Sequence, residues 1–281
     1  MEISPTVMLA VLAAAILHAG WNALLKASPD KALANVGQAI ARGVIALALL
    51  PFVSAPAPAS WPWIVASVVV HIAYFWLLAG AYRWGELSFS YPLMRGSAPA
   101  IVAIAGLLLF SEALPLSEWV AVILICTAVL GFASGPSGAV LAQRRALAFA
   151  LGNAVVIACY TLIDARGVRL SDAPIGYALW FFVGNSVVQV ALGVGGRGRD
   201  VVSYLRRHAV QAVLGGVFTI GAYGTALWAM ARAPVALVAA LRETSVVFAA
   251  LIGVLFLGER LTPRRVLATG LVLGGLVLLR V

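Results

Sequence analysis

The chain reads as long apolar runs separated by short polar breaks. Within each run the hydrophobicity is continuous, not alternating, and it persists for about twenty residues. Membrane strands alternate and are about half that length, so the predicted elements are helices. A helix rising about 1.5 Å per residue crosses about 30 Å of hydrocarbon in roughly 20 residues. Ten segments meet this: 7–25, 33–53, 63–83, 89–110, 117–134, 146–165, 175–194, 209–231, 236–257 and 263–280. Pro29 and the SAPAPAS run, 54–60, break the chain between spans. Ser117 reads as an N-cap, and Thr262-Pro263 as an N-cap followed by proline at the first helical position. The pattern predicts an all-α integral membrane protein with ten transmembrane helices.

A repeat lies inside this pattern. YPLMRGSAPAIVAIAGLLLFSE, Tyr91 to Glu112, returns as VAALRETSVVFAALIGVLFLGE, Val238 to Glu259. Arg95 falls on Arg242, Gly106 on Gly253, Leu108 on Leu255 and Glu112 on Glu259, each 147 residues apart. The linker SGPSGAVLAQRR, Ser134 to Arg145, separates five spans from five. The predicted repeats are residues 1–138 and 139–281, within one membrane domain. An odd number of spans per half forces the second half to enter the membrane upside down, giving two inverted five-helix repeats. Short connections make spans three and four, and spans eight and nine, antiparallel neighbours. Pro92 and Pro99 predict a kinked or partly unwound fourth span. Gly270 and Gly274 form a close-packing signature that serves either packing within the chain or a dimer face.

Composition narrows the class. Of 281 residues 63% are hydrophobic and 10% charged, and the mean hydropathy is +1.04. A soluble domain carries about 25% charged residues. The net charge of +9 is spread singly or in pairs between apolar segments, as membrane flanks are, and does not read as a nucleic-acid surface. The first segment is too long, and its MEISPT leader too acidic, for a cleaved signal peptide. Cys126 and Cys159 lie inside apolar runs and read as core residues. There is no HExxH, GxSxG or Walker loop and no Cys/His cluster, so neither an enzyme nor a metal or cofactor is expected.

Charged and polar groups inside apolar helices each need a reason. His18, Trp21, Asn22 and Lys26 share one face of the first span, which suits a polar cavity or interhelical hydrogen bonds. His71, Tyr74 and Leu78 share a face of the third, with Tyr82 a turn later. His18 and His71 are proton-coupling candidates, since imidazole titrates near physiological pH; a packing histidine is the plain alternative for His71. Tyr82 and Trp84 also fit an interfacial aromatic belt. Tyr91 and Arg95 are one turn apart in the fourth span. Asn153, Tyr160 and Asp164 share a face of the sixth, and Asp164 reads as a partner of Arg166 or another flanking base. Trp180, Asn185 and Gln189 decorate the seventh span, and Tyr223 and Trp228 the eighth. Arg242 and Glu243 point about 100° apart on the ninth, so each reaches a different neighbour. Arg42 reads as bundle-facing and structural. Glu243 neutralises at most one of Arg95 and Arg242, so an anionic substrate group is expected near one or both. The aromatic walls expected around it are Trp21, Tyr74, Tyr91, Tyr160, Tyr223 and Trp228.

HAGWNALLK, YPLMRGSAP and the recurring LFSE/FLGE ends resemble the ten-span EamA branch of the drug/metabolite transporter superfamily, over essentially the whole chain. That resemblance implies secondary export or exchange of small polar metabolites. It also implies a central cavity lined by spans 1, 3, 4, 6, 8 and 9, with spans 5 and 10 outside. The expected function is a secondary transporter, in the exporting direction, of a small zwitterionic, amino-acid-like metabolite. An organic anion or phosphonate carrier, a passive channel or a lipid scramblase is the alternative. Its partners would be the substrate, the lipid bilayer and coupled protons, in a monomer or weak homodimer of a bacterial inner (plasma) membrane. With cytoplasmic termini, four basic flank residues would face the cytoplasm and twelve the opposite side. The positive-inside rule therefore places both termini outside, whereas the resemblance places them inside.

Overall fold

The computed structural model describes residues 3–84, 87–131, 140–195, 197–257 and 263–279. The described elements are helical: α1 (Pro5–Lys26), α2 (Lys31–Leu49), α3 (Trp61–Trp84), α4 (Leu87–Phe110), α5 (Leu116–Gly131), α6 (Val140–Arg169), α7 (Pro174–Val194), α8 (Gly198–Met230), α9 (Val235–Arg242), α10 (Ser245–Leu257) and α11 (Pro263–Leu278). Among the described residues eight helical stretches are long and apolar enough to cross a membrane, with α9 and the start of α10 counting as one. Leu116–Gly131 and Val266–Leu278 are shorter apolar helices. Thr262, Glu259 and the 134–139 part of the linker lie outside the described residues.

Local chemistry sets the helix ends. Ser4 and Asp30 cap α1 and α2 by accepting from Val7 N and Leu33 N. The Leu33 amide, together with Arg197 at 2.8 Å, holds the Asp30 carboxyl below its ordinary range. The eighth helix starts well before the predicted 209. A polar segment from Gly198 joins it through a non-helical His208, whose ring stacks on Tyr204 at 4.6 Å.

The fourth span is not unwound: α4 runs as one helix with Pro92 and Pro99 inside it. Its repeat partner is the broken one, between α9 and α10 at Glu243–Thr244. There the backbone switches to tighter bonds, Glu243 N to Ala240 O and Thr244 N to Leu241 O, and the Thr244 hydroxyl donates to Leu241 O at 2.7 Å. A side-chain hydroxyl competing for a backbone carbonyl ends the helix without proline.

The predicted neighbours are also corrected. The broad contacts of α3 are with α6, which also holds α4; those of α1 are with α8 and α10. α3 barely meets α4, nor α8 α9, because α6 and α1 supply the intervening apolar faces. α2 packs on α7 and α8, and α5 on α11. Close approach to α2 needs Gly216, where a Cβ would meet the Arg42 backbone N at 2.9 Å. On α11 it is Gly275 that sits against Ile125 and Ala121, whereas a Cβ on Gly270 or Gly274 would meet nothing within 4 Å. The Gly270/Gly274 pair therefore makes no close contact among the described residues. Cys126 is buried, but Cys159 is exposed on the outer surface, not in the core. Leu9, Val44, Trp76, Leu108, Ile123 and Val187 make that outer surface apolar, as contact with lipid requires.

The main core fills only one end of the bundle. It joins Val7 and Val11 of α1, Val102 of α4, Val122 and Ile125 of α5, Val168 of α6, Phe181 and Phe182 of α7, Leu227 and Met230 of α8 and nearly all of α9. A polar clamp closes the same end. Glu112 pairs with Arg169 at 2.6 Å and accepts from Val235 N, the first amide of α9, at 2.9 Å. Arg169 donates to Met230 O and Ala233 O at the end of α8 and lies over the Phe110 ring. One ion pair thus satisfies orphan groups at the end of one helix and the start of the next. Glu112→Ala is expected to cost about 1.5–3 kcal/mol, the scale of hydrogen bonds to charged groups, and Glu112→Gln less. Thermal unfolding of the purified protein in detergent checks this; an unchanged midpoint for the alanine variant would remove the clamp from the account.

Candidate functional site

The opposite end of the bundle is hollow. A cavity of about 1330 Å³ reaches from Arg242 and His71 to the exposed Lys26 and Lys31 at the adjoining ends of α1 and α2. Its polar and charged lining carries five basic side chains, Lys26, Lys31, Arg42, Arg95 and Arg242, and among the described lining residues no acidic one.

Ten of the residues predicted from sequence come together here: His18, Trp21 and Asn22 of α1, His71 and Tyr74 of α3, Tyr91 and Arg95 of α4, Tyr160 of α6, Tyr223 of α8 and Arg242 at the end of α9. Two do not. Trp228 lies one turn past Tyr223 towards the closed end, with the Arg232 guanidinium 4.5 Å from its ring, and lines no part of the cavity. Glu243 is buried behind the wall, where it grips Arg95: Nη2 lies 2.8 Å from Oε1 and Nε donates to Oε2 at 3.0 Å. It forms no ion pair with the adjacent Arg242, whose side chain points elsewhere, as the 100° separation predicts.

The three buried arginines therefore differ. Arg95 is neutralised by Glu243. Among the described residues Arg242 makes no hydrogen bond or ion pair; its guanidinium lies 4.9 Å from the Tyr223 ring centre. Arg42, expected to be bundle-facing and structural, is buried and tied to α7, and it also lines the cavity. Its Nε donates to Ser186, and its Nη2 to Asn185 Oδ1 and Gln189 Oε1, at 3.2, 3.0 and 2.6 Å.

Asp164 is a second correction. It pairs with no flanking base; it is fully buried and accepts hydrogen bonds from the Tyr177 and Tyr223 hydroxyls. Two phenols take the role assigned to a cation, because α6 turns this carboxylate towards α7 and α8 and away from the helix end. His71 presents Nδ1 to the Ser67 carbonyl at 2.7 Å, so Nδ1 carries the proton there. Its ring packs 4.2 Å from Tyr160 and 5.0 Å from Phe181. Asn22 donates to the His18 carbonyl oxygen, and the His18 ring meets Trp21 edge-on at 5.2 Å. Asn153, expected on the Tyr160 face, donates instead to Met94 Sδ. Tyr82 lines the cavity, while Trp84 holds Arg145 at 4.6 Å outside it.

Spans two and seven also line the cavity, through Asn35, Gln38 and Arg42 and through Phe181, Phe182, Asn185 and Gln189. The resemblance omitted both. The signal was legible: Asn35, Gln38 and Arg42 are spaced i, i+3 and i+7 on one face of an otherwise apolar helix. α5 contributes only Gly131, and α11 nothing among the described residues.

An all-helical bundle with an apolar outer face and a cationic, aromatic interior is a multi-pass membrane protein. Residues 144–281 match the model of the EamA-like transporter family, so this part of the chain is an EamA-like domain, of the drug/metabolite transporter type. A solved structure, described as the crystal structure of a protein, superposes with a TM-score of 0.75 over 98% of both chains. At 16% identity that likeness is one of fold. No curated protein sequence matches the chain.

Arg95 and Glu243 form a buried pair whose rupture strands a charge, at a cost of about 3–5 kcal/mol. Arg95→Gln and Glu243→Gln should each lower thermal stability, and the double variant should recover part of the loss. Coupling above about 1 kcal/mol in the double-mutant cycle is expected; strict additivity would show that the two groups do not depend on each other.

Proposed function

We propose that the protein is a secondary transporter of small organic anions with an apolar body, working through its central cavity by alternating access. The observation that carries this is the Arg242 guanidinium, buried in the cavity wall with no hydrogen bond or ion pair among the described residues, in a lining that holds five basic side chains and no acidic one. A guanidinium costs several kcal/mol in a bilayer unless compensated, and its planar fork suits a carboxylate or phosphonate. Trp21, Tyr74, Tyr91, Tyr160 and Tyr223 supply apolar walls. This favours the anion or phosphonate reading over the zwitterion, because an amino group would find no carboxylate in the described lining. Accelerated counterflow of phenylphosphonate and phenylacetate in proteoliposomes tests it. Arg242→Gln should weaken apparent affinity about tenfold or more, the worth of a charge-assisted hydrogen bond, and Arg242→Lys less. Unchanged affinity in folded variants, or counterflow confined to cations, would overturn the reading.

The ten segments are proposed to be ten spans in two inverted repeats, with the α9–α10 pair as one span. The packing supports this: exchanging the halves turns the α1–α8 contact into α6–α3 and α4–α6 into α10–α1, while α2–α7 and α5–α11 map onto themselves. The helices alternate in direction, so the cavity opens on the side away from both chain ends. That is the side holding twelve basic flank residues, so the positive-inside rule makes it cytoplasmic. A C-terminal reporter active only in the cytoplasm should be silent; activity would reverse the orientation.

A further inference from the structure

We infer that Arg42 forms a second anion-binding subsite, and that the substrate carries an anionic group at each end. This rests on the reading of the cavity as an anion site. Three features of Arg42 point to a ligand. It lines the same cavity as Arg242 and is buried to 8% exposure. Its protein partners are all neutral: Ser186, Asn185 and Gln189. Those bonds occupy Nε and Nη2, while Nη1 has no acceptor among the described residues.

The three acceptors come from one face of α7, and Gln189 is steadied by donating to Asn35 Oδ1 at 2.9 Å. Such a set fixes the guanidinium's direction without cancelling its charge. A purely structural tie between helices would be stronger with a carboxylate, as Glu243 provides for Arg95 and Glu112 for Arg169. The neutral set at Arg42 leaves the charge for something that enters the cavity.

The two subsites share one aromatic wall. The Arg42 guanidinium lies 5.7 Å from the Phe182 ring centre, and that of Arg242 lies 4.9 Å from Tyr223. The two rings are edge-on, 6.2 Å between centres. A ligand following this wall meets a guanidinium at each ring and apolar surface between them. The matching class is an extended dianion with an apolar middle: a dicarboxylate, or a phosphonate with a distal carboxylate.

Titration calorimetry on the purified protein with hexanoate, adipate and pimelate separates the possibilities. Hexanoate and adipate have the same carbon count and differ in the second carboxylate. Wild type should bind adipate or pimelate about tenfold or more tightly than hexanoate. Arg42→Gln should bring that ratio close to one, whereas Arg242→Gln should weaken all three anions. Equal affinity for hexanoate and the dianions in wild type would overturn the second subsite and leave the anion site standing. No binding of any of the three would overturn both. The wild-type comparison decides the matter even where Arg42→Gln fails to fold. Arg42→Lys, keeping charge but losing the fork, should retain a reduced preference for the dianions; a preference unchanged in folded Arg42→Gln would return Arg42 to a structural role.

Discussion

The structure depends on how it disposes of guanidinium charge inside a low-dielectric bundle. A buried charge is tolerable when a counter-ion or a shell of hydrogen bonds replaces the water it has lost. The chain uses three different solutions. Arg95 receives a carboxylate, Arg169 receives a carboxylate and two carbonyls, and Arg42 receives three neutral oxygens. Arg242 lies against a tyrosine face and makes no hydrogen bond or ion pair among the described residues. Arg95, Arg42 and Arg242 all line the cavity, but among the described residues only Arg95 of the three has a carboxylate bound to it.

Asymmetry between the two ends of the bundle follows from where apolar residues were placed. The closed end contains most of the largest buried side chains, including Tyr177, Ile125, Leu237 and Leu241, and needs the Glu112–Arg169 clamp only to satisfy helix termini. At the other end the same helices present His18, Asn35, Gln38 and Tyr82 and cannot close on one another without burying polar groups. A cavity open on one side is the outcome of that distribution, and lipid contact on the exterior leaves no competing place for these side chains.

The sequence made the helix positions legible because span length is set by bilayer thickness, and it made Arg95, Arg242 and most of the aromatic lining legible because intramembrane polar groups are few. It misled where tertiary geometry chose among equal options. Trp228 and Tyr223 are five residues apart on one helix, and only packing shows that the first lies beyond the cavity floor. Asp164 had several cations nearby in sequence but turned towards two phenols. Pro92 and Pro99 suggested a break in α4, yet losing two amide donors did not end the helix, whereas Thr244, with no proline nearby, did so by bonding a carbonyl. The spacing of Arg42 with Asn35 and Gln38 was readable, but what holds its guanidinium was not. Its partners lie 143 to 147 residues away on α7, and no local pattern shows that they are neutral.

The eight residues of α9 connect these features. Val235 at its start is held by Glu112 of the closed end, and Arg242 at its finish faces the cavity. Glu243 directly after it fastens Arg95 of α4. An eight-residue helix is about 12 Å long, and Val235 to Leu241 are almost wholly excluded from solvent. A segment so short and so tightly packed behaves as one rigid body, since a close-packed interior shifts as units and does not deform smoothly. The tighter turn at Glu243–Thr244 frees it from α10 at the point where the anion would bind. The clamp at the closed end and the unpaired guanidinium in the cavity are therefore the two ends of a single element. Under the proposed transport reading, a displacement of Arg242 would reach the contacts that keep the far side shut.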